Sequence, residues 1–193
     1  APSVWIPTFP SLFPQSTAAK TAINTAQLIK RYEAILAVED DAETRARVQR
    51  RITDLQMLQT ERQHFSGEQE QSTDFSDNYQ AIIANYQALL AQQPQAETND
   101  AIWYQLAKAY DYQANSEQQL QALLALTGQH AQSVYSVESH YRLGDIYYSR
   151  ADYPNAQRHY QMVIDAGSSP YQLNAFYMRG WCFFKRSLYE QDR

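Results

Sequence analysis

At 193 residues, with 44% hydrophobic and 13% aromatic side chains, the chain suits a packed fold rather than intrinsic disorder. Its formal charge of -5 gives no footing for nucleic acid or an anionic membrane surface, both of which draw basic patches. No apolar run approaches the ~20 residues that a membrane-spanning helix needs, and the single cysteine, Cys182, excludes an intrachain disulfide.

Residues 1–16 hold four of the seven prolines, at spacings that forbid helix, so the segment is expected to be extended. Trp5, Ile6, Phe9, Leu12 and Phe13 make it apolar, and two readings stand: an arm that docks on this or another subunit, and an interdomain linker. Residues 17–38 predict a helix with Leu28, Tyr32 and Ile35 on its apolar stripe. The run Glu39-Asp40-Asp41 breaks it, and Asp40 with Glu43 has capping-box spacing for a helix over 42–62. That helix is expected to bury Val48, Ile52, Leu55 and Leu58 and to turn Arg45, Arg47, Arg50 and Arg51 mostly to solvent. A polar, Gln-rich stretch from Glu61 to Asp77, with isolated Phe65 and Phe75, reads as an insertion, part of which can prolong the preceding helix.

Beyond it the pattern is regular. A helix over 77–92 ends before Pro94, and a connector leads to the Trp103 helix. Ser116 with Gln119 is a second capping box, and Gly128 reads as the stop of that helix. Helices near 134–150 and 153–166 turn about the hinge Arg150-Ala151-Asp152-Tyr153, with Pro154 in a first turn and Gly167 as a stop. Pro170 precedes the last helix.

The chain repeats. With Ile52, Leu106, Leu143 and Arg179 marking first helices and Tyr32, Tyr86, Leu123 and Tyr160 second ones, each second marker precedes the next first marker by 20, 20, 20 and 19 residues. Within a pair the distances are 34, 17 and 17, and the odd value places the insertion. A small-residue slot recurs at Ala107, Gly144 and Gly180, where close packing leaves no room for a larger group, with Thr53 in the first copy. An aromatic slot recurs at Tyr110, Tyr147 and Phe183, and Asp54 and Asp145 occupy equivalent positions.

This pattern over residues 28–193 resembles the tetratricopeptide repeat, a helix-turn-helix unit of 34 residues with Leu-Gly, Tyr, Ala and Tyr or Phe at set positions. The resemblance implies an all-α, right-handed α-solenoid of antiparallel helix pairs over residues 17–193, following the arm at 1–16, with the insertion at about 61–77. Gly180, Phe183 and Tyr189 match Gly144, Tyr147 and Tyr153 at an offset of 36, so the last repeat reads as truncated. Together with the start at Ala1 rather than Met, this reads as a processed product or a piece of a longer protein.

In that family the first helices line a concave groove. Carried over by register, the groove positions are Tyr104, Lys108 and Asp111; Tyr141, Asp145 and Tyr148; and Tyr177, Trp181 and Phe184. Arg50, Asp54, Met57, Glu138 and Asn174 are groove positions by the same register. Tyr104, Tyr141 and Tyr177 share one repeat position, an aromatic ladder of the kind that anchors interfaces. The Lys and Asn clamp with which chaperone-tail adaptors of the family hold a carboxylate is missing. The last repeat is similar to those of bacterial envelope proteins, the outer-membrane assembly lipoprotein and the Tol-Pal coordinator, which implies a periplasmic or outer-membrane-associated protein; a cytoplasmic one is the alternative.

The expected function is therefore a non-catalytic scaffold that binds a protein or peptide, with self-association through the arm or the last helix also open. The alternatives are the helical region of a larger enzyme such as a lytic transglycosylase, and a peptide-sensing regulator. No cofactor, metal or catalytic residue is expected: His64, His130, His140 and His159 lack ligand spacing, and no phosphate loop or nucleophile elbow occurs. His140 holds the large-residue slot of Trp103 and Phe176 and reads as a packing residue.

Overall fold

The structure, a computed structural model, describes residues 24–65 and 75–191, with side chains as far as 188. The Pro-rich arm, the start of the helix expected from residue 17 and the centre of the insertion lie outside the described residues. Among the described residues there are eight helices and no strand: α1 Thr25–Leu36, α2 Ala42–Phe65, α3 Ser76–Gln92, α4 Asn99–Tyr112, α5 Ser116–Gln129, α6 Ser136–Ser149, α7 Tyr153–Asp165 and α8 Gln172–Gln191.

Each helix packs on its neighbours in the chain. The result is a stack of antiparallel pairs, α2/α3, α4/α5 and α6/α7, between α1 and α8. Three of the four second-helix markers are pivots of the interior: Tyr86, Leu123 and Tyr160 are wholly buried, as are Leu106 and Leu143 from the first helices, whereas Tyr32 on α1 is only half-buried and Ile35 of its expected stripe is exposed. One core joins α2 to α6 through Met57, Tyr79, Ile82, Tyr86, Leu106, Leu120 and Leu123, and a second joins α7 and α8 through Tyr153, Ala156, Tyr160, Val163, Ala175 and Cys182.

The small-residue slot is real where two helices close on it. A Cβ on Gly144 would stand 2.5 Å from Cε1 of Tyr160, and Ala107 is fully buried. In the first pair Thr53 fits, fully buried, with its hydroxyl donating to the Gln49 carbonyl at 2.9 Å. Gly180 departs from the expectation: nothing lies within 4 Å of where its Cβ would be, because no described helix covers that face of α8.

Several boundaries move by a residue for identifiable reasons. Asp41, not Asp40, caps α2, its Oδ2 accepting from the Thr44 amide at 2.8 Å. Arg45 is exposed as expected, and its guanidinium also donates to the carbonyls of Leu36 and Glu39 at 2.8 and 2.6 Å and ties the α1–α2 turn. In α2 Met57 is buried and Leu58 exposed, the reverse of the expected stripe. Asn115 rather than Ser116 caps α5, accepting from the Gln118 amide at 3.2 Å. Gly128 does not stop α5; Leu126, fully buried against Tyr104, holds the last turn. Gly167 does end α7, at φ +84°, and Asp152 caps its start.

Candidate protein-binding groove

The groove positions sit on α2, α4, α6 and α8, one turn apart along each helix, and a single hydrogen bond recurs beneath them. The Tyr86 hydroxyl of α3 donates to Oδ1 of Asp54 on α2 at 2.7 Å, and the Tyr160 hydroxyl of α7 donates to Oδ1 of Asp145 on α6 at 2.6 Å. In the middle pair both partners change together: Leu123 replaces the tyrosine and Lys108 the aspartate. Lys108, nearly buried, instead pairs with Glu61 at the end of α2 and lies 6.0 Å from the centre of the Tyr104 ring.

The tyrosine ladder divides by exposure. Tyr104 is only 9% exposed; its ring stacks on Tyr135 at 4.3 Å and its hydroxyl donates to Oε2 of Glu138 at 3.0 Å, so it is a strut between α4 and α6. Tyr141 is half-buried, 5.2 Å from the ring of Tyr171, and Tyr148 meets Tyr153 edge-on at 5.5 Å. Tyr177, 64% exposed, meets Trp181, 38% exposed, which meets Phe184, 50% exposed, each in an edge-to-face contact. Only on α8 does the ladder stand open to solvent.

Charge in the groove is unevenly compensated. Glu138 takes Arg142 as a partner at 2.7 Å. Burial pushes the carboxyls of Asp111 and Asp145 above the usual aspartate range, and a Gln119 bond at the first, the Tyr160 bond at the second and Arg142 near both offset only part of it. Asp54 is raised in the same way, with the Tyr86 bond, Arg50 and Arg51 opposing.

Two features were not legible beforehand. His140 on α6 and His159 on α7 face each other Nδ1 to Nδ1 at 3.0 Å, and Tyr147 stacks on His159. Burial lowers both imidazoles, His159 to about 4, so the pair shares a hydrogen bond as neutral rings. Around the insertion, Phe65 and Phe75 are not isolated: both stack on His64, which also bonds the Tyr79 hydroxyl at 3.2 Å. His64, Phe75, Tyr79 and Tyr112 line a cleft of about 370 Å³. No group of three or more His, Cys, Asp or Glu among the described residues is arranged to hold a metal ion, and no described helix is long and apolar enough to cross a membrane.

Antiparallel helix pairs stacked in chain order define an α-solenoid of the tetratricopeptide type. No protein-family model matches this sequence, and no curated protein matches it. Among solved structures the chain is similar to the crystal structure of MamA protein, with a TM-score of 0.52 and 13% identity over 86% of this chain and 85% of that one. That likeness carries the fold.

Proposed function

We propose that this chain is a non-catalytic protein-interaction scaffold that holds a partner along the groove of its first helices. The observation that supports this best is the file of exposed rings on α8, Tyr177, Trp181 and Phe184, in which Tyr177 holds the repeat position of Tyr104 and Tyr141. Large aromatic side chains left open in a contiguous patch are typical interface anchors. A place in a bacterial envelope complex belongs to the same proposal and rests on the style of the last repeat.

The test is a photoreactive phenylalanine derivative placed at position 177 in the groove and, separately, at position 134, where Val134 is the most exposed large apolar side chain among the described residues. Crosslinking in cells is expected to give a discrete adduct from 177, none from 134, and loss of the 177 adduct when Trp181→Ala is added. Equal adducts from both positions, or indifference to Trp181→Ala, would count against the groove.

A further inference from the structure

We propose that the groove between α4 and α8 selects a peptide segment bearing lysine or arginine, with the cation seated among Asp111, Asp145 and the rings of Tyr141 and Tyr177. This rests on the groove being the binding face and names what the partner must carry. Three observations converge on it.

The first is charge. Arg142 is one guanidinium serving three carboxylates: it is paired with Glu138, and its field also falls on Asp111 and Asp145. Lys108, one turn before Asp111 on α4, is engaged with Glu61. This part of the groove is therefore short of positive charge, and charge complementarity of that kind selects partners. An acidic segment would be repelled.

The second is the cost of those carboxylates. Burying a carboxylate without a full counter-charge works against folding, yet Asp111 and Asp145 stand half-buried on successive first helices, at different repeat positions. A cation from a partner would supply the missing charge, and a site that waits for a ligand commonly carries such a cost. The third is the aromatic wall. Tyr141 is half-buried beside Asp145, which acts on its hydroxyl electrostatically, and Tyr177 and Trp181 expose ring surface on the next first helix. Ring faces beside a carboxylate suit an ammonium or a guanidinium through cation–π attraction.

A random twelve-residue peptide library displayed on phage, selected on the wild-type chain and on the Asp111→Asn, Asp145→Asn double variant, tests this directly. Peptides recovered on wild type are expected to be enriched in Lys and Arg. The best of them, as a synthetic peptide, should bind the double variant about tenfold or more weakly. Its affinity should also fall as salt rises through the range where the Debye length drops below about 10 Å.

Asn keeps the shape of Asp and still accepts from Tyr160 or Gln119. The double variant should therefore melt at the same temperature as wild type or higher, whereas carboxylates with a purely structural role would cost stability on replacement. Peptides that need Trp181 but carry no basic enrichment would overturn the cation proposal and leave the groove in place. Peptides indifferent to both Trp181→Ala and the double variant would overturn both readings.

Discussion

Gly144 and Gly180 hold the same repeat position and make opposite predictions. A methyl at 144 would lie 2.5 to 2.8 Å from three ring carbons of Tyr160, a ring anchored by its bond to Asp145. Gly144→Ala should thus cost about 1–3 kcal/mol, the range for overpacking. Gly180→Ala meets nothing within 4 Å and gains helix propensity, roughly 0.5–1 kcal/mol in favour. Urea midpoints of the two variants check this, and a stable Gly144→Ala would mean that α6 and α7 are not closed as described. The sequence showed the slot, because a small residue recurred at one phase. It also held the tyrosine–aspartate bond in plain sight: Tyr86 and Tyr160 occur with Asp54 and Asp145, while Leu123 occurs with Lys108. The partner of Lys108 was hidden, since Glu61 falls where the register is broken and periodicity gives no alignment. The histidine pair was hidden for another reason: contacts between side chains on different helices depend on packing angle, which spacing along one helix does not encode.

The turns joining first to second helices show what a helix-level reading can and cannot extract. The hinge at Ala151 was visible as a break in the pattern, but its geometry was not, because the usual marker of a left-handed C-terminal turn is glycine. Here alanine takes that place twice, Ala114 at φ 54° and Ala151 at φ 59°. Both close with the same pair of bonds: Asn115 to the Tyr110 carbonyl and Ala114 to that of Asp111, and Asp152 to Tyr147 and Ala151 to Tyr148, all between 2.9 and 3.0 Å. The next residue, Asn115 or Asp152, then caps the following helix, so one short segment ends one helix and starts another. An alanine held left-handed is strained by roughly 1–2 kcal/mol. Ala114→Gly and Ala151→Gly should each return about 1 kcal/mol of it, after the entropy that glycine adds to the unfolded chain. For a chain of this size that is about 2–4 °C in melting temperature. A fall in melting temperature for either would mean that the turn is not left-handed there. The boundary shifts at Asp41 and Asn115 have the same root: several adjacent polar residues can cap, and the chain's approach angle chooses among them.

At the scale of the whole molecule, a stack in which each helix packs mainly on its chain neighbours need not unfold as a unit. Burial is unequal along it. Helices α3 to α5 contribute most of the buried residues, α1 contributes none, and the buried residues of α8 are Ala175 and Cys182. The face of α8 toward α7 is thin, and its other face carries the open aromatic rings. Cys182 is a native reporter of that interface, being fully buried with its thiol pushed up by burial to about 11. At pH 8 a soluble disulfide reagent should therefore react with it far more slowly than with a free cysteine, at a rate set by the opening of α8 from α7. Because opening this one contact leaves the α2–α5 core intact, labelling should depend on urea much less steeply than loss of the helical circular dichroism signal does. A groove ligand that spans α6 and α8 should slow it further. Labelling as fast as for an exposed thiol would show that α8 is not seated on α7. Labelling that tracks global unfolding at every urea concentration would instead make the stack a single cooperative body, in which a partner bound at α8 is felt as far as α1.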